Sequence, residues 1–168
     1  VKLQTLREEY AQTVRMLEAN KNLILLAQIK HAQRDVLRLI GSDEHVTIPQ
    51  EENLIASNNS VLKNLCFRKT YISFMFRSYD DAKEHVAKFF DCREKAHAQL
   101  LTMQYSQTFY VGLISFWVTR KSGLQYWFGR GNESKLALKK WAESSQWTFE
   151  NKWYLLEAEE SFSINDYE

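Results

Sequence analysis

The side chains in this sequence best suited to holding a transition metal are four histidines, His31, His45, His85 and His97, and two cysteines, Cys66 and Cys92. His85, Cys92 and His97 come closest to a cluster, with steps of seven and five residues. Structural zinc sites bring their ligands in tight pairs. Steps of seven and five do not, and these positions share no helical face with Cys66, so the pattern argues against a metal. Carboxylates stand side by side at Glu8 and Glu9, Glu51 and Glu52, Asp80 and Asp81, and Glu159 and Glu160. General acid–base chemistry needs two such groups to converge on a substrate. Adjacent helical positions diverge by about 100°, so these doublets read as solvated faces. The stretch "GRGNES" (129–134) has two glycines, but no strand leads into it and no lysine stands where a phosphate loop requires one. No catalytic residue and no cofactor is assigned.

Basic residues gather at Lys63, Arg68 and Lys69, at Arg120 and Lys121, and at Lys135, Lys139 and Lys140. Near aromatic rings, such groups could bind RNA by stacking and phosphate contact. Interleaved acids oppose this: 22 basic residues against 21 acidic leave a net charge of +1. A chain so balanced has no global field toward nucleic acid or an anionic membrane. Trp141, Trp147 and Trp153 are six residues apart. Six matches neither 3.6 nor 7, so they form no single stripe. They are expected to straddle a helix–turn–helix corner and pack from both sides, with a peptide groove as the alternative.

These side chains must be placed by helices. The 168 residues include 45% apolar and 14% aromatic side chains, enough for one folded domain or a short run of repeats, with only five glycines and one proline to make turns. Leu3, Leu6, Tyr10, Val14 and Leu17 mark a first amphipathic helix. Leu23 to Ile40 is a second, stopped by Gly41. Residues 1–41 are thus an N-terminal helical hairpin, and 42–60, which hold the only proline, are a long loop. Residues 61–168 continue as hairpins. Helices are expected over 61–77, from Ala82 to Leu100 or Leu101, over 104–120, over 124–144 with a kink or loop at "FGRGNE", and over 148–163 with Thr148 as N-cap.

No signal peptide is visible and no apolar run approaches the roughly 20 residues of a membrane helix. Two cysteines make no disulfide framework and suit burial as small hydrophobes, which points to a reducing, cytoplasmic compartment. The absence of an initiating methionine and the abrupt ending suggest a piece of a longer protein.

A faint repeat runs through the second half. In "RSYDDAKEHVAKFF" an aromatic, Tyr79, follows a short polar turn. Ala82 comes three residues on, then Val86 and Phe89. This is the shape of a tetratricopeptide turn, in which a small residue lets two helices cross closely. "SINDYE" matches it, with Tyr167 in place of Tyr79. In the first helices of the hairpins, Thr70, Gly112 and Ala158 align as the small position. Their separations of 42 and 46 residues exceed the usual period of about 34. The fold expected is all-α, an irregular α-solenoid of tetratricopeptide-like helical hairpins whose last repeat is truncated, with a non-repetitive helical bundle as the alternative. The packing positions are Tyr79, Ala82, Val86, Phe89, Gly112, Trp117, Trp141, Trp147, Trp153, Ala158 and Tyr167. The face of Trp153 and Leu156 is expected to be exposed where a second helix is missing.

The phrase "ALKKWAESSQWTFENKWYLLEAEESF" resembles the helical repeat region of very large signalling proteins. The likeness rests on Lys139, Lys140, Trp141, Ala142, Ser145, Trp147, Phe149, Lys152, Leu155, Leu156, Ala158 and Glu159. "LISFWVTRKSG" and "SYDDAKEHVAKFF" fit it too, whereas the first 60 residues fit poorly. In that family a protein-kinase-like module and an AAA-type or STAND-type ATPase precede the repeats, and a GAF domain with a histidine kinase or nucleotide cyclase follows. This chain has none of their catalytic signatures. The resemblance implies a non-catalytic scaffold or relay segment that contacts proteins. The alternative is a stand-alone RNA- or peptide-binding helical module.

Overall fold

The apolar periodicities above are realised as helices. A computed structural model of the chain describes residues 2–48, 51–93, 95 and 101–165, and among them there are eight helices and no strand. They are α1 (Leu3–Ala19), α2 (Leu23–Leu39), α3 (Glu51–Ser57), α4 (Asn59–Met75), α5 (Tyr79–Arg93), α6 (Leu101–Ser122), α7 (Gln125–Ser144) and α8 (Gln146–Asn165). Contacts divide the chain into two compact units, residues 1–68 with 88–97, and residues 69–87 with 98–168.

Helix ends follow local chemistry. After α1 and α4 the chain turns through Lys21 (φ 53°) and Arg77 (φ 57°), and after α2 through Gly41 (φ 69°). In each turn the next amide reaches back to the last turn of the helix: Asn22 to the Leu17 carbonyl, Ser78 to Ser73, Ser42 to Leu37. This is the Schellman stop, which wants a left-handed residue. The Asn22 side chain accepts from the Leu25 amide to open α2, and that of Asn58 accepts from Ser60 and Val61 to open α4.

In the first unit, Val14, Leu17, Leu26 and Ile29 close α1 on α2, beside a Glu18–Lys30 ion pair of 2.8 Å. Residues 42–60 are not one long loop, because α3 lies within them. The stretch before α3 is held down: Val46 and Ile48 are buried, Arg34 Nε donates to the Val46 carbonyl (2.8 Å), and Arg7 pairs with Glu44 (2.6 Å). Buried apolar side chains and a satisfied carbonyl outweigh what the solvated chain would gain, so the segment folds back. Cys66 and Cys92 are both buried as thiols.

The second unit is built on α6, α7 and α8, each packed on the other two. Its core is Phe116, Leu138, Ala142, Phe149 and Leu156, with Tyr105, Phe109, Leu113, Phe128, Trp141 and Trp153 around them. "FGRGNE" forms no loop; α7 runs through it. Its second glycine is a packing device: a Cβ on Gly131 would lie 2.6 Å from the Phe116 ring. Nor does Thr148 cap α8. The amide of Thr148 bonds the Ser145 carbonyl, and one residue, Ser145, both ends α7 and begins α8.

Candidate protein-contact face

Burial of the turn and crossing residues differs from one to the next. Tyr79 opens α5 and meets Trp117 edge-on at 5.5 Å; Ala82 and Val86 have no exposed surface and Phe89 is buried. Gly112 lies where α6 meets both α7 and α8, since a Cβ there would sit 2.8 Å from Leu156 Cδ1 and 2.9 Å from Ser134 Cβ. Thr70, aligned with it, is also fully buried. Trp141 is wedged between Tyr105 (4.7 Å) and Phe149 (5.8 Å), and Lys139 Nζ stands 5.4 Å from the Trp153 ring. Tyr167 lies outside the described residues.

Trp147 does not join this packing. It is 97% exposed. Nor is the face of Trp153 and Leu156 open: Leu156 is fully buried and Trp153 packs on the core. The physical reason is that α8 carries two apolar faces. Phe149, Leu156 and Ser163, seven residues apart, point inward, with the Ser163 hydroxyl donating to the Glu159 carbonyl (2.7 Å) beside that of Phe116. On the opposite side Trp147, Tyr154, Leu155, Ala158 and Phe162 fall within about 100° of arc at 100° per residue, an arc that also holds the exposed Asn151. All five are exposed, Phe162 by 53% and Tyr154 by 51%. A helix that is apolar on both sides is ordinarily covered on both.

The charges around this stripe are sorted. Arg120 pairs with Glu159 and Lys135 with Glu160, so the acids on the inner flank are neutralised within the unit. Arg120 also lies 4.7 Å from the Phe162 ring. Glu150 and Glu157 line the other edge of the open stripe. Neither forms an ion pair among the described residues; Glu150 accepts only from Gln146 and from the Tyr154 hydroxyl.

No group of three or more histidine, cysteine or acidic side chains among the described residues could hold a metal, and His97 lies outside them. A cleft of about 360 Å³ opens between Thr119, Gly123, Gln125, Phe128, Ser163 and Ile164. Two of its polar groups are turned away: the hydroxyls of Thr119 and Ser163 donate to carbonyls of their own helices. Ligand sites instead present convergent polar groups to an apolar pocket. Two titratable groups are displaced in the first unit. Burial pushes the Asp35 carboxyl up, against the pull of Arg68 at 2.7 Å and of Arg38 and Arg34. Burial, and then Arg93, push the Lys63 ammonium down. Neither group lines the cleft beside α8.

No family model, curated protein or solved structure matches this chain. Among the described residues no helix is long and apolar enough to cross a membrane.

The open face was not evident in the sequence because two apolar stripes on one helix blur each other's period. The seven-residue step from Trp147 to Tyr154 is the signal that could have found it.

Proposed function

We propose that this chain is a non-catalytic helical scaffold that makes protein contacts, with the outer face of α8 as its contact surface. The observation that carries this is Trp147, 97% exposed at the head of an apolar stripe on a helix whose opposite side is fully buried. Water-exposed apolar stripes of this kind mark interaction sites, and exposed tryptophan and tyrosine are the residue types on which binding energy concentrates. The repeat alignment supports an α-solenoid of tetratricopeptide-like hairpins. Its small positions Thr70 and Gly112 are covered, Gly112 by α7 and α8, while Ala158 stands open in the middle of the stripe. By the resemblance to the repeat region of large signalling proteins, the segment would act as a relay between an upstream ATPase and a downstream output module.

RNA binding is the weaker reading. Arg120 and Lys135 are engaged by Glu159 and Glu160. The exposed aromatics sit beside Glu150 and Glu157, whose charges would repel phosphate.

The test is site-specific photocrosslinking in the native host. A benzophenone side chain at position 147 should give discrete protein adducts. The same probe at Leu136, an exposed residue of α7, should give none. Absence of adducts from position 147 would overturn the scaffold reading.

A further inference from the structure

The contact surface proposed above also states what it takes, and the inference that follows rests on that reading. The open stripe runs from Trp147 to Phe162, about 22 Å along the axis at 1.5 Å per residue. It is a ridge and not a pocket. Its bulky residues stand toward the two ends and the centre, with Ala158 between Tyr154, Leu155 and Phe162. A small residue flanked by large ones admits the ridge of a second helix. Gly112 does the same a layer further in, where the incoming side chain is Leu156 of a helix. An extended strand would need free backbone hydrogen-bonding groups, and α8 spends its own within the helix.

Charge fixes the kind of helix. The edge of the stripe carries Glu150 and Glu157, seven residues apart and without cationic partners among the described residues. Lys139 of α7 stands over the Trp153 ring instead. A second copy of this chain docking antiparallel through α8 would set that acidic edge against itself. A parallel copy would set it against an edge made of Thr148, Lys152 and Glu159, where Lys152 already donates to the Thr148 carbonyl. Charges flanking an apolar seam decide partner and orientation. We infer that the outer face of α8 docks a different amphipathic helix, at least about 15 residues long, that carries an apolar stripe over Trp147, Tyr154, Leu155, Ala158 and Phe162 and lysine or arginine at heptad spacing over Glu150 and Glu157.

Two synthetic helical peptides of the same apolar stripe test this, one with lysine at two flanking positions seven residues apart and one with glutamate there. Each carries a fluorophore, and its anisotropy is followed against the intact chain. The lysine peptide should bind about tenfold tighter than the glutamate peptide at low ionic strength, and the ratio should fall toward one in 1 M salt, where screening acts over about 3 Å. The chain carrying E150Q and E157Q should bind both peptides equally, and Trp147→Ser should weaken both. Circular dichroism confirms that these exposed substitutions leave the helices intact. Equal binding of the two peptides to the unaltered chain overturns the inference. So does binding of neither, or a dimer in sedimentation equilibrium that Trp147→Asp dissociates. Crosslinking from position 147 separates the two failures: adducts without charge discrimination leave the scaffold reading standing and remove only the basic helix.

Discussion

Three glycines lie inside helices of the second unit, and the structure assigns them different consequences when a methyl group is added. Alanine in place of glycine in a helix interior gains about 1 kcal/mol from backbone entropy alone. At Gly129 nothing lies within 4 Å of the new Cβ. Gly129→Ala should therefore stabilise the chain by about 1 kcal/mol, or roughly 2–4 °C in Tm for a chain of this size. At Gly112 the Cβ would stand 2.8 Å from Leu156 Cδ1 and 2.9 Å from Ser134 Cβ. The Leu156 methyl is a side-chain end but has no free volume, being fully buried; the Ser134 Cβ is fixed to α7. Overpacking costs about 1–3 kcal/mol, so Gly112→Ala should destabilise by about 1 kcal/mol net. Gly131→Ala, 2.6 Å from the fully buried Phe116 ring, should lose at least as much. Thermal unfolding followed by far-ultraviolet circular dichroism reads all three. A double-mutant cycle with Leu156→Val, which withdraws the clashing methyls, should recover some of the Gly112→Ala loss as a coupling energy. Gly112→Ala and Gly129→Ala raising Tm by the same amount would refute the close crossing of α6 with α7 and α8.

Lys21→Gly should raise stability by about 0.5–1 kcal/mol, because Lys21 holds a left-handed φ of 53° that costs an L-residue about 1–2 kcal/mol, partly offset by the freedom glycine loses on folding; a melt with lower Tm would contradict this. Asn58→Ala should cost about 1 kcal/mol in urea unfolding, since its side chain serves two amides of the first turn of α4, and an unchanged midpoint would deny the cap. Lys63→Met should stabilise at neutral pH. The lowered pKa of the buried ammonium means that the unfolded chain holds this proton more tightly than the folded one. The penalty is therefore fully present below the lowered value and disappears as pH rises through 10.5. Urea midpoints of the two proteins from pH 7 to 10.5 should converge; a constant difference would place the effect in packing alone.

Much of this architecture is legible from residue spacing. The α1–α2 hairpin follows from single apolar stripes and from the stop at Gly41, whereas α4 and α6 carry apolar side chains around much of their circumference, and α5 ends at Arg93, short of the Leu100 or Leu101 expected from the sequence. Gly112 lies at the crossing of α6 with α7 and α8, and Ala82, Val86 and Phe89 are buried on α5. What was not legible has physical causes. Pro49 and the neighbouring asparagines and serines read as loop, yet α3 needs only seven residues and follows the proline. Gly129 and Gly131 read as breakers, yet Gly131 is required by the Phe116 ring and the rest of α7 carries the helix through. On α8 the inward face of Phe149 and Leu156 and the outward face of Trp147 and Tyr154 share a seven-residue step. Which of the two is covered depends on where α6 and α7 lie, and no local rule supplies that.

The isolation of Trp147 has an optical consequence. Trp127 is buried, Trp117 is 9% exposed, and Trp141 and Trp153 are half-buried against other rings. Of the five indoles, Trp147 alone stands in water on every side, so its emission should lie at the red edge of the spectrum. Iodide in solution should extinguish that component before the others. Anything that settles on α8 would shift it to shorter wavelength and shield it from the quencher. The chain thus carries, without a label, its own gauge of whether this face is covered.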